Sequence, residues 1–458
     1  MTDPTAAASR ASPAQPGPTP PPLTATDRQG PPAPIRIVHL GLGAFHRAHQ
    51  AWYTAHAPDH AEWGIAAFTG RSPDIAATLA AQGGLYTLVE RGPDGDRDEI
   101  VDSIVEADDG ADIPRLLELF RREALAIVTL TVTEAGYRLR ADGSPDLDDR
   151  ALATDLELLR AGLTAAVPLA ELRPATTLGR LLLALEARRR SGGGPLAVVP
   201  CDNLPGNGPL LAHGTTAAAR LVSARLADWM DEHLRFVSTS VDRITPRTTA
   251  ADIQTLDARA ARHDGAPVFT EPFADWVLSG EFPAGRPAWD AVGARFVLDI
   301  EPWELRKLRL LNGAHTLLSF AGPPRGHETV FAAFADRDLR QAVERFWDEA
   351  ARHLPPGLDL ADYRAALATR FANPRIEHRL AQIAQDGTRK LRLRVVPVAE
   401  AELAADRSAA GCARAIADWA DHVGTSGRID LRGRIGELSR VLADDDRFVA
   451  LVDALRHR

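Results

Sequence analysis

Between Glu304 and His315 the chain reads ELRKLRLLNGAH, and four of its side chains carry chemistry: the carboxylate of Glu304, the amine of Lys307, the amide of Asn312 and the imidazole of His315. Leu305, Leu308 and Leu311 recur at helical spacing behind Pro302, so the stretch is expected to be helical. At about 100° per residue, Glu304, Lys307, Leu308, Leu311 and His315 share one broad face, with Asn312 further round. A lysine held against leucines loses part of its preference for charge, and its pKa falls toward the range of a general base. An amide and an imidazole beside it are groups that can hold a substrate oxygen. The same letters also fit an ordinary amphipathic helix. In that reading Glu304 and Lys307 form a surface ion pair, Asn312-Gly313 is a kink or an end, and His315 is a satisfied core residue. Lysine occurs only at Lys307 and Lys390 in an arginine-rich chain, and arginine does not replace a proton-accepting amine.

The elements that must position such a site begin at Ile35–Leu40, a short apolar β-run. It feeds the turn Gly41-Leu42-Gly43-Ala44-Phe45 and then a helix running through Ala55. Strand, glycine turn and helix form the unit that lays a dinucleotide pyrophosphate on a helix N-terminus. Gly41 allows the tight turn and Gly43 a close approach to phosphate, while His46 stands where the usual fingerprint has a third glycine. A plain turn is the competing reading. A second strand, Gly64–Thr69, ends without the acidic residue that binds a ribose 2′-hydroxyl, and Arg71 there would suit a 2′-phosphate. Leu125–Val132 reads as a buried parallel strand ending at Thr133 and Glu134. Leu196–Pro200 is another, ending at Asn203, which either caps the next helix or faces a ligand. Asp242 and Arg243 close a strand-like run, Phe236–Ile244, as a site or as a local ion pair. The aromatic stretch Ile253–Arg295 is expected to wrap toward the site. From Glu301 onward the pattern is helical, with expected helices that include Arg375–Gln385 and Ala399–Val423.

The length suits two or three domains with ample core. A net charge of −9 argues against broad nucleic-acid or anionic-membrane binding. Two cysteines, Cys201 and Cys412, are too few for a disulfide framework or a cysteine-based zinc site, so no metal is expected and a reduced, cytoplasmic setting is. No apolar run is long enough to span a membrane. Residues 1–34 are rich in Pro, Ala and Thr, lack the apolar core of a signal peptide, and read as a disordered tail.

GLGAFHRAHQAWYT, LTVTEAGY, CDNLPGNG, FVSTSVDRITP, EPFADWVL, FPAGRPAW and KLRLLNGAH occur in an order that resembles the long-chain mannitol dehydrogenases and fructuronate reductases. The resemblance runs from Ile35 to Lys390, and the final helices match only loosely. It implies a Rossmann-type α/β domain over 35–295 followed by a mostly α-helical substrate domain over 296–458. It also implies metal-independent oxidation of a secondary alcohol on a polyol or sugar acid with NAD, NADP being left open. By resemblance Lys307 is the general acid/base, Asn203 and Asn312 hold the reacting oxygen, His315 binds substrate, and Glu304 lies near the lysine's proton path. Glu134, Asp242 and Lys390 match substrate-side positions. Gly41, Leu42, Gly43, Ala44, Phe45, Arg71 and Thr133 are the expected cofactor contacts. Gln382 stands where mannitol dehydrogenases carry a site arginine, and HRLAQIAQDGTRKL leans toward the fructuronate-reductase branch. A mannitol-1-phosphate 5-dehydrogenase is the second enzyme reading, and a nucleotide-binding sensor without turnover is the reading from another class. A monomer or weak oligomer acting on a small polyol or keto-sugar is expected.

Overall fold

The computed structural model describes residues 20–70, 72–424 and 427–456. Its central sheet holds six parallel strands: β1 (Ile35–Leu40), β2 (Gly64–Phe68), β3 (Ile104–Asp108), β4 (Ile127–Leu130), β5 (Leu196–Pro200) and β6 (Leu234–Phe236), in the order β3-β2-β1-β4-β5-β6. This is the 3-2-1-4-5-6 order of dinucleotide-binding folds, whose ligands sit beyond the carboxyl ends where the order reverses, here between β1 and β4.

The strands are apolar on both sides because both faces are covered. The register partners Ile37, Ile65, Ile127 and Ala197 enter one core, and their successors Val38, Ala66, Val128 and Val198 enter the other. Helices Ile113–Phe120, Arg150–Thr164, Thr177–Arg190, Asn207–Val222 and Ala224–His233 cover the second face through residues such as Leu116, Leu152 and Leu181. The first face is closed by Gln50–His56 and by the aromatic segment, whose tryptophans go inward instead of wrapping the site. Trp276 and Trp289 lie 4.6 Å apart between ring centres, beside Tyr53. Of its aromatic rings Phe273 lies beneath the Arg370 guanidinium at 4.1 Å, while Glu271 and Ser279 of the same segment do border the site.

The run expected as one strand over Phe236–Ile244 is two. β6 closes the main sheet, and Ser238–Asp242 pairs antiparallel with Asp275–Ser279 in a small second sheet. Residues 1–34 are not wholly a tail either. Pro22 bridges to His263, Leu23 is 1% exposed, and Arg28 donates to the carbonyls of Gly83 (2.7 Å), Ile104 (3.0 Å) and Asp102. A guanidinium satisfying three carbonyls fixes this segment, an effect composition does not reveal. Residues 1–19 lie outside the described residues.

The helical half is organised around Gly313–Ala321, every residue of which is buried. Gly313 and Gly411 permit its close packing. A Cβ on Gly313 would lie 2.5 Å from the Phe346 ring, and one on Gly411 would lie 2.7 Å from the Phe346 backbone. Two expected helices are interrupted. Of Arg375–Gln385 only Leu380–Ile383 is helical, because Arg379 bridges to Thr329. Ala399–Val423 divides into Val396–Ala404 and Ala410–His422 at Asp406 and Ala409, both with positive φ. Among the described residues no helix is long and apolar enough to cross a membrane, and no group of three or more His, Cys, Asp or Glu could hold a metal ion.

Candidate active site

The stretch that carries the chemistry is not one regular helix. Glu301–Arg306 is α-helical, Lys307–Asn312 is a π-helical turn, and Gly313–Ala321 resumes the α-helix. In an α-helix Lys307 and Asn312 would stand about 140° apart, at about 100° per residue. Hydrogen bonding from i to i+5 brings the fifth residue back toward the first, and such bulges concentrate at functional sites. Asn312, placed further round by the regular-helix expectation, therefore lines the same cleft as Lys307, Leu308, Leu311 and His315.

Lys307 does not pair with Glu304. Its Nζ donates to Asn203 Oδ1 and to the Val241 carbonyl, each at 2.6 Å. A neutral amine has two N–H donors, and these two acceptors take both. The remaining tetrahedral position carries the lone pair, or a proton when the amine is charged. Burial lowers the pKa of Lys307, Asp242 and Asp275 oppose that shift, and Arg370 and Arg394 add to it. Glu304 instead accepts from the Gly206 amide at 3.0 Å, and burial raises its pKa.

Asn203 is not a helix cap. The residue before helix Asn207–Val222 is Gly206, and the loop between is held by its neighbours. Asp202 accepts from the Tyr137 hydroxyl (2.6 Å) and the Leu204 amide (2.8 Å). Asn207, fully buried, donates to the Thr239 carbonyl (3.1 Å) and accepts from the Thr239 amide (2.9 Å). This ties the end of β5 to Ser238–Asp242, so both Lys307 acceptors sit on a braced pair of strand ends. Asp202 and Asn207 were legible inside CDNLPGNG, where only Asn203 was singled out.

His315 is buried, with its ring 4.9 Å from Phe371 and 4.7 Å from His378. It is not a satisfied core residue, since Nε2 has no hydrogen-bond partner among the described residues although it borders the cleft. Burial keeps its pKa well below the usual imidazole range, so the ring is neutral, and burial brings the cleft-lining His378 down to about 4.

Asp242 and Arg243 do not pair locally. Arg243 meets Glu90 at 2.7 Å. Asp242 accepts from Arg370 through both oxygens, at 2.6 and 3.0 Å, and Arg370 also grips Glu271 at 2.7 and 2.8 Å. Burial pushes the Asp242 carboxyl up, but Arg370 outweighs it and holds the pKa below the ordinary value. Arg370 comes from helix Leu360–Phe371 in the other half of the chain, and no local pattern marks it. Both lysines line one cavity of about 580 Å³, where Lys390 donates to the Ile383 carbonyl at 2.9 Å. Glu134 stands exposed at its mouth, accepting from Arg389 at 3.2 Å. Gln382 is exposed. A second cavity of about 580 Å³ shares Asn203, Lys307 and Asn312 and carries Glu304. A third, of about 370 Å³, lies beyond the ends of β4 and β5 and is lined by Phe45, Thr133, Glu134 and Asn203.

The glycine turn forms as expected at Gly41. Its φ is +112°, and a Cβ there would lie 2.5 Å from the Thr131 carbonyl oxygen. At Gly43 the nearest atom to such a Cβ is the Gly41 carbonyl at 3.6 Å, which leaves the cradle open above the start of helix Ala44–Ala48. His46, in place of the third glycine, stacks on His39 of β1 with ring centres 3.3 Å apart. His39 lies between the hydroxyls of Thr129 (2.8 Å) and Thr131 (3.0 Å), and Thr131 donates to Gly41 O at 2.7 Å. The turn thus rests on a buried imidazole stack in which burial brings His39 down to about 3. Leu42 turns away from the cradle. Its side chain enters the core and its N–H is spent on Phe68 O at 2.8 Å. Ala44 packs against that same core. Arg71 lies outside the described residues.

A parallel sheet with this strand order, an open glycine cradle at its switch point and a desolvated lysine that donates to one asparagine and shares its cleft with another define a Rossmann-type dehydrogenase. Comparison with known proteins gives the family. Residues 35–291 match the mannitol dehydrogenase Rossmann domain, and residues 299–428 match the mannitol dehydrogenase C-terminal domain. The D-mannonate oxidoreductase of Escherichia coli (strain K12) is 36% identical over 397 residues, covering 84% of this chain and 79% of the relative. The mannitol 2-dehydrogenase of Cereibacter sphaeroides is 36% identical, covering 84% and 80%. The solved structure of Pseudomonas fluorescens mannitol 2-dehydrogenase with NAD and D-mannitol is 31% identical, covers 92% of this chain and 91% of that one, and superposes with a TM-score of 0.75. The chain belongs to the mannitol dehydrogenase family of oxidoreductases.

Proposed function

We propose that the protein interconverts a secondary alcohol of a polyol or sugar acid and the corresponding ketone with NAD(P), Lys307 serving as the general acid/base. The observation that carries this reading is the Lys307 amine, 2.6 Å from both Asn203 Oδ1 and the Val241 carbonyl, in a cleft it shares with Asn312 and His315. Bound NAD(P) supplies the hydride acceptor in oxidation and the donor in reduction, chemistry that no side chain performs. The open cradle at Gly43, the tight turn at Gly41, and the Phe45 and Thr133 walls fit a dinucleotide reaching toward Asn203.

In oxidation, neutral Lys307 takes the substrate hydroxyl proton. Asn203 keeps its Oδ1 on the lysine, and its amide N–H groups, with those of Asn312, stabilise the oxygen as it gains negative character. Such preorganised donors are worth several kcal/mol each. Neutral His315 offers its unpaired ring nitrogen to a neighbouring substrate hydroxyl. In reduction, charged Lys307 returns the proton to the nascent alkoxide. Glu304 lines the adjoining cavity together with the lysine and is suited to exchange that proton. We read the chain as a cytoplasmic monomer or weak oligomer whose two domains, 35–295 and 296–458, meet at this cleft.

The test is a reductive assay with NADH and NADPH against D-fructose, D-fructuronate, D-tagaturonate and D-fructose 6-phosphate. Turnover of an uncharged or carboxylated keto-sugar is expected. Activity on the phosphate ester alone would replace this reading by a sugar-phosphate dehydrogenase, and silence on all four would overturn it.

A further inference from the structure

Building on that reading, we propose that Arg394 recognises a carboxylate on the substrate and makes the cleft selective for sugar acids over neutral polyols. The helix Gly387–Arg394 brings Arg389, Lys390 and Arg394 to one wall of the substrate cavity, with Lys390 and Arg394 one turn apart on the same side. Each other arginine lining this cavity has a counter-charge. Arg370 holds Asp242 and Glu271, Arg243 holds Glu90, and Arg389 meets Glu134. Arg394 is different. Its Nη1 donates to the Thr316 hydroxyl (3.0 Å) and the Asn312 carbonyl (3.3 Å), both uncharged, and no ion pair joins it to a carboxylate among the described residues. The carboxylates that share the cavity do not compensate it. Asp242 is taken up by Arg370, Glu134 by Arg389, and Asp386 acts on Lys390.

A half-buried guanidinium without an anion is costly to retain, and native structures pair such groups or offer them to a ligand. Burial is the sole influence on Arg394 and brings it down to about 10. The nearby cation also adds to the effect of burial in lowering Lys390. A carboxylate arriving between these two groups would restore both. Its planar, two-oxygen shape matches the arginine fork. Arg394 donates to the carbonyl of Asn312 and lines the same cavity, which puts its guanidinium within reach of a molecule held at Asn312.

The experiment compares kcat/KM for D-fructuronate and D-fructose, which differ by a carboxylate in place of a hydroxymethyl group, in wild type, Arg394→Gln and Arg394→Lys. The fructuronate-to-fructose ratio is expected to fall about 100-fold in Arg394→Gln, the usual size of a lost partner to a buried charge. Arg394→Lys should recover part of it, with the loss in KM and not in kcat. Equal losses on both substrates would mean that Arg394 only braces Asn312 and Thr316, and would overturn the proposal. So would a wild-type enzyme that prefers D-fructose, which leaves the proposed function standing. A wild-type enzyme inactive on both would overturn this proposal, and one inactive on D-tagaturonate and D-fructose 6-phosphate as well would overturn the proposed function with it.

Discussion

Replacing Asp242 by asparagine should move the pH dependence of catalysis in a known direction. Lys307 donates to the carbonyl of Val241, so the Asp242 carboxylate belongs to the adjoining residue. Burial lowers the lysine pKa, and Asp242 is the foremost of the two carboxylates that oppose it. At an effective dielectric constant of about 20, opposite charges about 6 Å apart interact by about 3 kcal/mol, which corresponds to about two pKa units. Arg370 grips both oxygens of Asp242, so Lys307 feels part of that charge only. What remains still favours the charged amine. Removing the charge lowers the lysine pKa further. The neutral, proton-accepting form then persists to lower pH, and the acid limb of kcat/KM for alcohol oxidation moves down. The alkaline limb of ketone reduction, which needs the protonated form, moves in the same direction by the same amount. Glu271 still pairs with Arg370 in the variant, so folding survives at a cost of about 2 kcal/mol. The measurement is a pair of pH profiles, oxidation and reduction, from about pH 5 to about pH 10. Limbs that stay put, move up, or move in opposite directions would refute the assignment of Lys307 as the titrating group.

Lys307→Ala should lower turnover by about 10³-fold or more while NADH binding, followed by fluorescence titration, changes less than about threefold; surviving turnover would remove the lysine from the mechanism. Gly41→Ala places a Cβ 2.5 Å from the Thr131 carbonyl oxygen at a φ of +112°. It should weaken NADH binding at least about tenfold and cost about 1–3 kcal/mol of stability, read from the titration and from the melting temperature. An unchanged affinity would show that this turn does not cradle the dinucleotide.

The local letters were sufficient for much of the fold. β1, β2, β4 and β5 are short apolar runs, and a parallel sheet buried on both faces requires that pattern. The turn at Gly41 was legible because only glycine takes its conformation readily. The segment around Leu23 and Arg28 was not legible, since a proline-rich composition resembles a tail until the sheet edge supplies carbonyls for the guanidinium. The helix break at Asp406 and Ala409 escaped for a related reason: tertiary packing, not propensity, places it.

For the site, the sequence by itself determined which groups are present: a rare lysine, two asparagines, a histidine and a glycine turn at the head of an α/β half. Tertiary structure decided what each of them meets. Lys307 finds Asn203 across 104 residues, and Arg370 finds Asp242 across 128. The π-helical turn rotates Asn312 onto the lysine's face, and Arg394 is left without a carboxylate. Apolar periodicity is a property of neighbours in the chain. The pairing and desolvation of charges depend on which distant elements the packed cores bring together, and those contacts set the protonation state of Lys307 and the unmet charge of Arg394.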